Sequence, residues 1–227
     1  MSGAARPDGQ VDSTPTRPCV VGLTGGLASG KSTAASILVN RSIPVLDADA
    51  VVHYLYRPGG EGAAAVTRIF GAAVLDENGG VDRAVLGGRV LRDRDLRLAL
   101  EHAIHPLVRQ EISRWLADLG PVPLAVVEAA LLVETGSYRA YDVLVIAYCA
   151  GDQQLERALA RGIPEERARA LMKAQLPLDE KRQVADVVID NGGALADLET
   201  EVDRAWSEVV RLCRDRKSAQ SATVPDS

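Results

Sequence analysis

The sequence predicts an α/β fold of three layers, with a five-stranded parallel sheet between two sheets of helix. Three observations carry that prediction. Five short apolar runs recur along the chain, each about as long as a strand buried on both faces. Helix-forming stretches alternate with them, as a parallel sheet requires. A glycine-rich loop joins the first apolar run to the first helical stretch.

The first strand is "CVVGL" (19–23), and "STAASILVN" after the loop reads as a helix ending near Asn40. "IPVLDAD" (43–49) is the second strand, with Pro44 tolerable only at its start. From about Ala50 to Gly120 the chain turns rich in Arg, Ala and Leu with helical periodicity, and "RPGGEG" and "DENGG" mark loops. That segment reads as a helical insertion after strand 2. Strands resume at "PLAVVEAALLVE" (123–134) and "YDVLVIAYC" (141–149). "AGDQQLERALARG" opens a helix with Asp152 as the expected N-cap. "ADVVIDN" (185–191) is the last strand, and "ALADLETEVDRAWSEVVRLCRD" is an amphipathic closing helix. Residues 1–18 and 213–227 read as disordered tails.

Composition bounds the class. The 227 residues are 47% hydrophobic and 25% charged, as in an ordinary globular chain able to bury a core. The net charge of −5 argues against general nucleic-acid binding. No apolar run approaches the ~18 residues of a membrane span, and the first eighteen residues lack a signal peptide's apolar core. Cys19, Cys149 and Cys213 are odd in number and widely spaced, so neither a disulfide framework nor a zinc motif is expected. Cys19 and Cys149 read as small core residues of a cytoplasmic protein.

"TGGLASGKST" (24–33) carries the chemistry. Gly25 to Ser32 fit G-x-x-x-x-G-K-[ST] without a mismatch, between a predicted strand and a predicted helix. Glycines allow the backbone to turn so that successive N–H groups point into one concavity at a helix N-terminus. Lys31 sets a compact positive charge against β- and γ-phosphates, and the Ser32 hydroxyl is a hard oxygen suited to Mg²⁺. The loop therefore predicts nucleoside triphosphate binding and a P-loop NTPase fold.

A phosphotransferase needs a base beside the acceptor, positive charge over the transferred group, and room for the acceptor. Asp47 and Asp49 stand at the end of the second strand, the edge where open α/β sheets bind ligands. Alternation along an extended chain would aim both to one side, and either would alternatively cap the following helix. Glu128, in the third strand, is a second candidate by the same logic. Arg157 and Arg161 are spaced i, i+4 and share a helix face from which they could close over phosphates as a lid, although such pairs are often merely solvated. Arg139, Lys173, Lys181 and Arg182 are weaker candidates. His102 and His105, at i, i+3 in "EHAIHP", lack an evident third metal ligand.

"TGGLASGKST", "VLDADAVVH", "HPLV", "EAALLVE", "QLERALAR" and "ADVVIDNGG", in this order and spacing, resemble the dephospho-CoA kinase family from about Cys19 to Leu212. The resemblance implies a P-loop core (19–49 and 121–212), a helical CoA-binding insertion (50–120) and a short lid after strand 4 (about 150–175). It implies transfer of the ATP γ-phosphate to the ribose 3′-hydroxyl of dephospho-CoA, with Mg²⁺. Asp49 becomes the expected base, with Lys31 and Arg157 as the other catalytic groups. Gly26, Leu27, Ala28, Ser29, Gly30, Lys31, Ser32, Thr33, Arg157, Arg161, Asn191 and Gly192 become the ATP-binding set, the last two near adenine. Thr24, Asp49, His105, Leu131 and Leu132 are expected on the acceptor side, and Ser32 on the metal with waters. The family's usual Pro-Leu-Leu is Ala130-Leu131-Leu132 here, and Gly162 replaces an acidic residue common after the second lid arginine. The expected assembly is a monomer or weak homo-oligomer. Another P-loop small-molecule or nucleoside monophosphate kinase, or a slowly hydrolysing regulatory module, shares the loop but leaves "DAD" and "HP" unexplained.

Overall fold

The computed structural model describes residues 17–222. Its five parallel strands are β1 (Cys19–Gly25), β2 (Val45–Asp47), β3 (Leu124–Glu128), β4 (Val143–Tyr148) and β5 (Val187–Asp190). They lie in the order β2-β3-β1-β4-β5. Because β1 sits between strands that come later in the chain, the order reverses beside its C-terminal end. That is the crevice where an open α/β sheet binds ligands. In register, Leu23 and Asp47 each lie opposite Glu128, so three strand ends finish at one edge.

All seven residues of β1 are buried, as a central strand covered on both faces demands. Cys19, Val21 and Leu23 pack with helices α1 (Lys31–Asn40) and α9 (Leu195–Ala222), through Ala34, Leu38, Leu198, Val202 and Val209. On the opposite face Val20, Val127, Leu144 and Ile146 pack against Ile112 and Leu178. This two-residue alternation builds the two helical layers. Gly22 falls on the second face, where an added Cβ would come within 2.8 Å of Tyr141 Cδ2.

Between β2 and β3 the chain forms α2 (Ala48–Leu55), α3 (Glu61–Phe70), α4 (Arg83–Val90) and the long α5 (Arg94–Asp118). These helices hold a core of their own around Tyr56, Val66, Phe70, Val74, Leu86 and Ile104. After β4 come α6 (Gly151–Ala160), α7 (Glu165–Lys173) and the short α8 (Leu178–Lys181).

Several local expectations need correction. The second strand stops at Asp47, whose carboxylate caps α2 by accepting the Asp49 and Ala50 amides at 2.8 and 3.1 Å. Asp49 is therefore helical, and strand alternation does not aim it. The third strand ends at Glu128 rather than running to 134, and Ala130–Thr135 turn away from the sheet. Ala150, not Asp152, caps α6; Gln153 reaches back to the Ala150 amide, and Asp152 lies in the first turn.

The ends of the chain also differ from expectation. Cys19 and Cys213 form a disulfide across 194 positions, while Cys149 is free and buried. Wide spacing concealed the pair, because only the packing of α9 on β1 brings the two sulfurs together. The closing helix, expected over 194–215, runs on to Ala222 through part of the segment expected as a disordered tail, and residues 223–227 lie outside the described residues. Residues 1–16 of the expected leader lie outside them too. Arg17 is fixed, with both guanidinium branches donating to Asp142 at 2.8 Å.

Candidate active site

The loop between β1 and α1 has the backbone that its sequence requires. Gly30 has φ 94 and Ala28 has φ 54, so two left-handed residues fold the chain back on itself. Gly30 is also the N-cap of α1. A Cβ there would run into Asn191 Nδ2, which donates to the Ser29 carbonyl at 2.9 Å. Asn191 thus grips the loop from beneath. Gly192 follows, its carbonyl accepting from Gln153 Nε2 at 2.7 Å.

Two glutamines hold the loop tip: the Leu27 amide donates to Gln175 Oε1 at 2.9 Å, and Gln154 Nε2 donates to the Leu27 carbonyl at 2.7 Å. Beneath Gly26, an added Cβ would strike Gln154 and come within 3.3 Å of Leu178. Ser29 is 1% exposed, and its hydroxyl has no hydrogen-bond partner among the described residues. A buried hydroxyl without a protein partner in this loop suits an anionic oxygen.

Past the loop, Lys31 Nζ forms an ion pair with Glu128 Oε1, and Ser32 Oγ donates to the same oxygen at 3.0 Å. Thr33 follows on α1, half-buried. No three His, Cys, Asp or Glu side chains among the described residues form a ready-made cation cage. Ser32 and Glu128 nonetheless present hard oxygens side by side, with Asp47 in register. That donor set fits Mg²⁺, which keeps waters and phosphate oxygens in its shell.

Asp49 stands on the first turn of α2, open to solvent at the cleft. Partial desolvation of its carboxyl by the cleft walls raises its pKa above the ordinary value. Lys31 and the Ala130 amide pull the pKa down, while Asp47 and Glu128 push it up. Thr24 is fully buried, its hydroxyl donating to the Ala130 carbonyl at 3.1 Å.

Asp49 also borders a cavity of about 300 Å³ between α2, α5 and the segment after β3. Its wall includes His105, Leu131, Leu132 and Tyr141. Leu132 is buried and Leu131 exposed. His105 is shifted below its ordinary pKa, chiefly by burial and also by Arg109 and His102, with Glu101 opposing. It is therefore neutral at pH 7. Tyr56 and Tyr141, also at this wall, have phenols pushed up to about 12, mainly by burial.

The two arginines expected in a lid differ. Arg157 projects from α6 toward Gly193, donating to its carbonyl at 3.4 Å, and its buried Nη1 has no hydrogen-bond partner among the described residues. Arg161 is the C-cap residue of α6 and is exposed.

The comparisons with known proteins decide what this geometry belongs to. The family model described as dephospho-CoA kinase matches residues 19–197. The chain belongs to the dephospho-CoA kinase family. A dephospho-CoA kinase of Frankia casuarinae is 38% identical over 198 residues, covering 87% of this chain and 86% of the relative. One of Aquifex aeolicus is 37% identical over 191 residues, covering 84% and 97%. Among solved structures, TT1252 from Thermus thermophilus is similar with a TM-score of 0.72 and 33% identity, covering 86% of this chain and 99% of that one. The dephospho-CoA kinase of Campylobacter jejuni follows at 0.63 and 26%, covering 86% and 98%.

Gln154, Gln175 and Glu134 also support the site in this family member, and no residue pattern points to them. Lys181, a weaker candidate for positive charge over the phosphates, is fully buried instead. A glutamine or lysine in a charged helical stretch carries no periodic signal of burial. The Gln175-Leu-Pro break and the four-residue helix after it were the only local hint.

Proposed function

We propose that this chain transfers the γ-phosphoryl group of ATP to the ribose 3′-hydroxyl of dephospho-CoA, giving coenzyme A and ADP. One observation carries the reading beyond family membership. Asp49 borders the 300 Å³ cavity and also lies within the electrostatic reach of Lys31, so one carboxylate touches both an acceptor space and a phosphate loop.

In this reading the amides of Gly26 to Thr33 and the Lys31 ammonium hold the triphosphate. Lys31 turns from Glu128 to the phosphates when they arrive. Ser32, with Glu128 and Asp47 through water, would hold Mg²⁺. The metal's contribution is to offset phosphate charge as the γ-group leaves. Asp49 orients the 3′-hydroxyl and takes its proton. Arg157 and Arg161, on α6, cover the transferred group, and Asn191 and Gly192 border the nucleotide. Thr24, His105, Leu131 and Leu132 set the acceptor, neutral His105 as a hydrogen-bonding group rather than a cation. Closure of 150–175 over the loop excludes water, so that the phosphoryl group reaches the sugar instead.

The helices of 50–120 serve as the acceptor domain, joined to a nucleotide-binding core formed by 19–49 and 121–212. A cytoplasmic setting, a monomer or weak homo-oligomer, and no nucleic-acid partner complete the proposal. No helix among the described residues is long and apolar enough to cross a membrane. The test is ADP release from ATP and Mg²⁺ with and without dephospho-CoA. Strong stimulation by dephospho-CoA is expected, and none would overturn the reading.

A further inference from the structure

Lys181 is the last residue of α8 and its side chain is 0% exposed. Its ammonium meets three oxygens from two segments, the end of β1 and the turn after β3. Glu134 Oε1 lies at 2.7 Å, the Ala130 carbonyl at 3.0 Å and the Gly25 carbonyl at 3.4 Å. Gly25 opens the phosphate loop. Ala130 precedes the two leucines of the acceptor wall. Glu134 Oε1 also accepts the Leu176 amide at 3.0 Å, and Leu176 follows Gln175, which holds the loop tip. One buried cation therefore joins the donor loop, the acceptor wall and the segment leaving α7.

Ala130 makes this arrangement bear on the reacting groups. Its carbonyl is held by Lys181 and by Thr24 Oγ1, while its amide faces the Asp49 carboxylate. A shift of that residue moves both the partner of Asp49 and the start of the Leu131-Leu132 wall. Burying a lysine and a glutamate is costly, and well-packed apolar residues commonly serve stability as well or better. The pair's distinctive contribution is geometric: a short, charge-assisted contact that fixes two carbonyls in place.

We propose that Lys181 is a positioning residue for phosphoryl transfer, holding the Gly25 and Ala130 carbonyls so that Asp49 and the acceptor wall stand in register with the phosphate loop. This rests on the kinase reading above. Lys181 touches neither the acceptor cavity's lining nor a reacting atom; it acts through Ala130 and Gly25.

The experiment compares wild type with Lys181→Met, Lys181→Arg, Glu134→Gln and the double variant Lys181→Met/Glu134→Leu. Folding is checked by circular dichroism, ATP binding by calorimetry, and dephospho-CoA-dependent ADP release gives kcat and the acceptor KM. The double variant leaves no orphan charge and is expected to fold and to bind ATP within about threefold of wild type. Its kcat is expected to fall about 10²-fold with a raised acceptor KM, the scale of a misplacement of about an ångström. Lys181→Arg restores most of the rate, and Glu134→Gln shifts the same parameters in the same direction by less. A folded double variant with kcat and acceptor KM both within about threefold of wild type overturns the proposal. So does rate loss that disappears once activity is normalised to folded protein, in whichever of the variants fold. Wild type lacking acceptor-stimulated turnover would instead be a failure of the kinase reading, and the positioning role would fall with it.

Discussion

Asp49 works under a conflict that other residues set. Partial desolvation lifts its pKa, Asp47 and Glu128 lift it further, and Lys31 with the Ala130 amide opposes them. The folded state therefore binds the Asp49 proton more tightly than the unfolded chain does. Its stabilising share is present below the unfolded pKa and is lost as pH rises through the folded value. At pH 7 the ionised group is a liability to the fold, and the proposed reaction needs it. Asp49→Asn should accordingly retain ATP binding, lose transfer by about 10²-fold or more, and melt at a higher temperature than wild type at pH 7. The melting difference should shrink in acid, where the wild-type carboxyl is protonated. Kinetics and differential scanning calorimetry at pH 7 and pH 4 measure both. A variant with near-normal kcat would remove Asp49 from the role of base.

At the scale of elements, the loop and its supports behave as one object. Gly30 turns in the left-handed region directly above Asn191, so Gly30→Ala meets strain and a clash together. It should cost about 2 kcal/mol or more and weaken ATP binding, measured by denaturant unfolding and calorimetry. Unchanged binding would mean that the loop tolerates another conformation. The strand–loop–helix unit was legible in the sequence because its signals are local: an apolar run, glycines and a lysine at fixed spacing. Asp49 is legible as an acid near the end of the second strand, but the structure places it on α2. The cap made by Asp47 ends β2 two residues early, and only the helix places Asp49 at the cavity. Glu128 was legible as an acid at a strand end, whereas its pairing with Lys31 depends on the register of β1 with β3. Lys181 is legible only as one weak candidate among the basic residues and Gln175 not at all, since the contacts of both are decided by how α7 and α8 fold back under the loop.

The whole molecule is closed by its ends. Cys19 begins the central strand and Cys213 lies on the last helix, so the disulfide ties α9 to the sheet across 194 positions. A link over so long a loop restricts the unfolded chain by up to about 5 kcal/mol in the chain-entropy account. Cys213→Ser should therefore lower the melting temperature without reductant, and dithiothreitol should lower wild type to the same value while leaving the variant unmoved. A wild type indifferent to reductant would show that the bond contributes nothing to stability. At this scale too the sheet order matters most, because it sets the phosphate loop, the Asp49 helix and the acceptor cavity around one crevice. The most direct test of that convergence follows the phosphate itself. With γ-labelled ATP, Mg²⁺ and dephospho-CoA, the label should appear on the ribose 3′-oxygen of coenzyme A, in step with ADP. Label accumulating as free phosphate while dephospho-CoA stays unchanged would contradict the account.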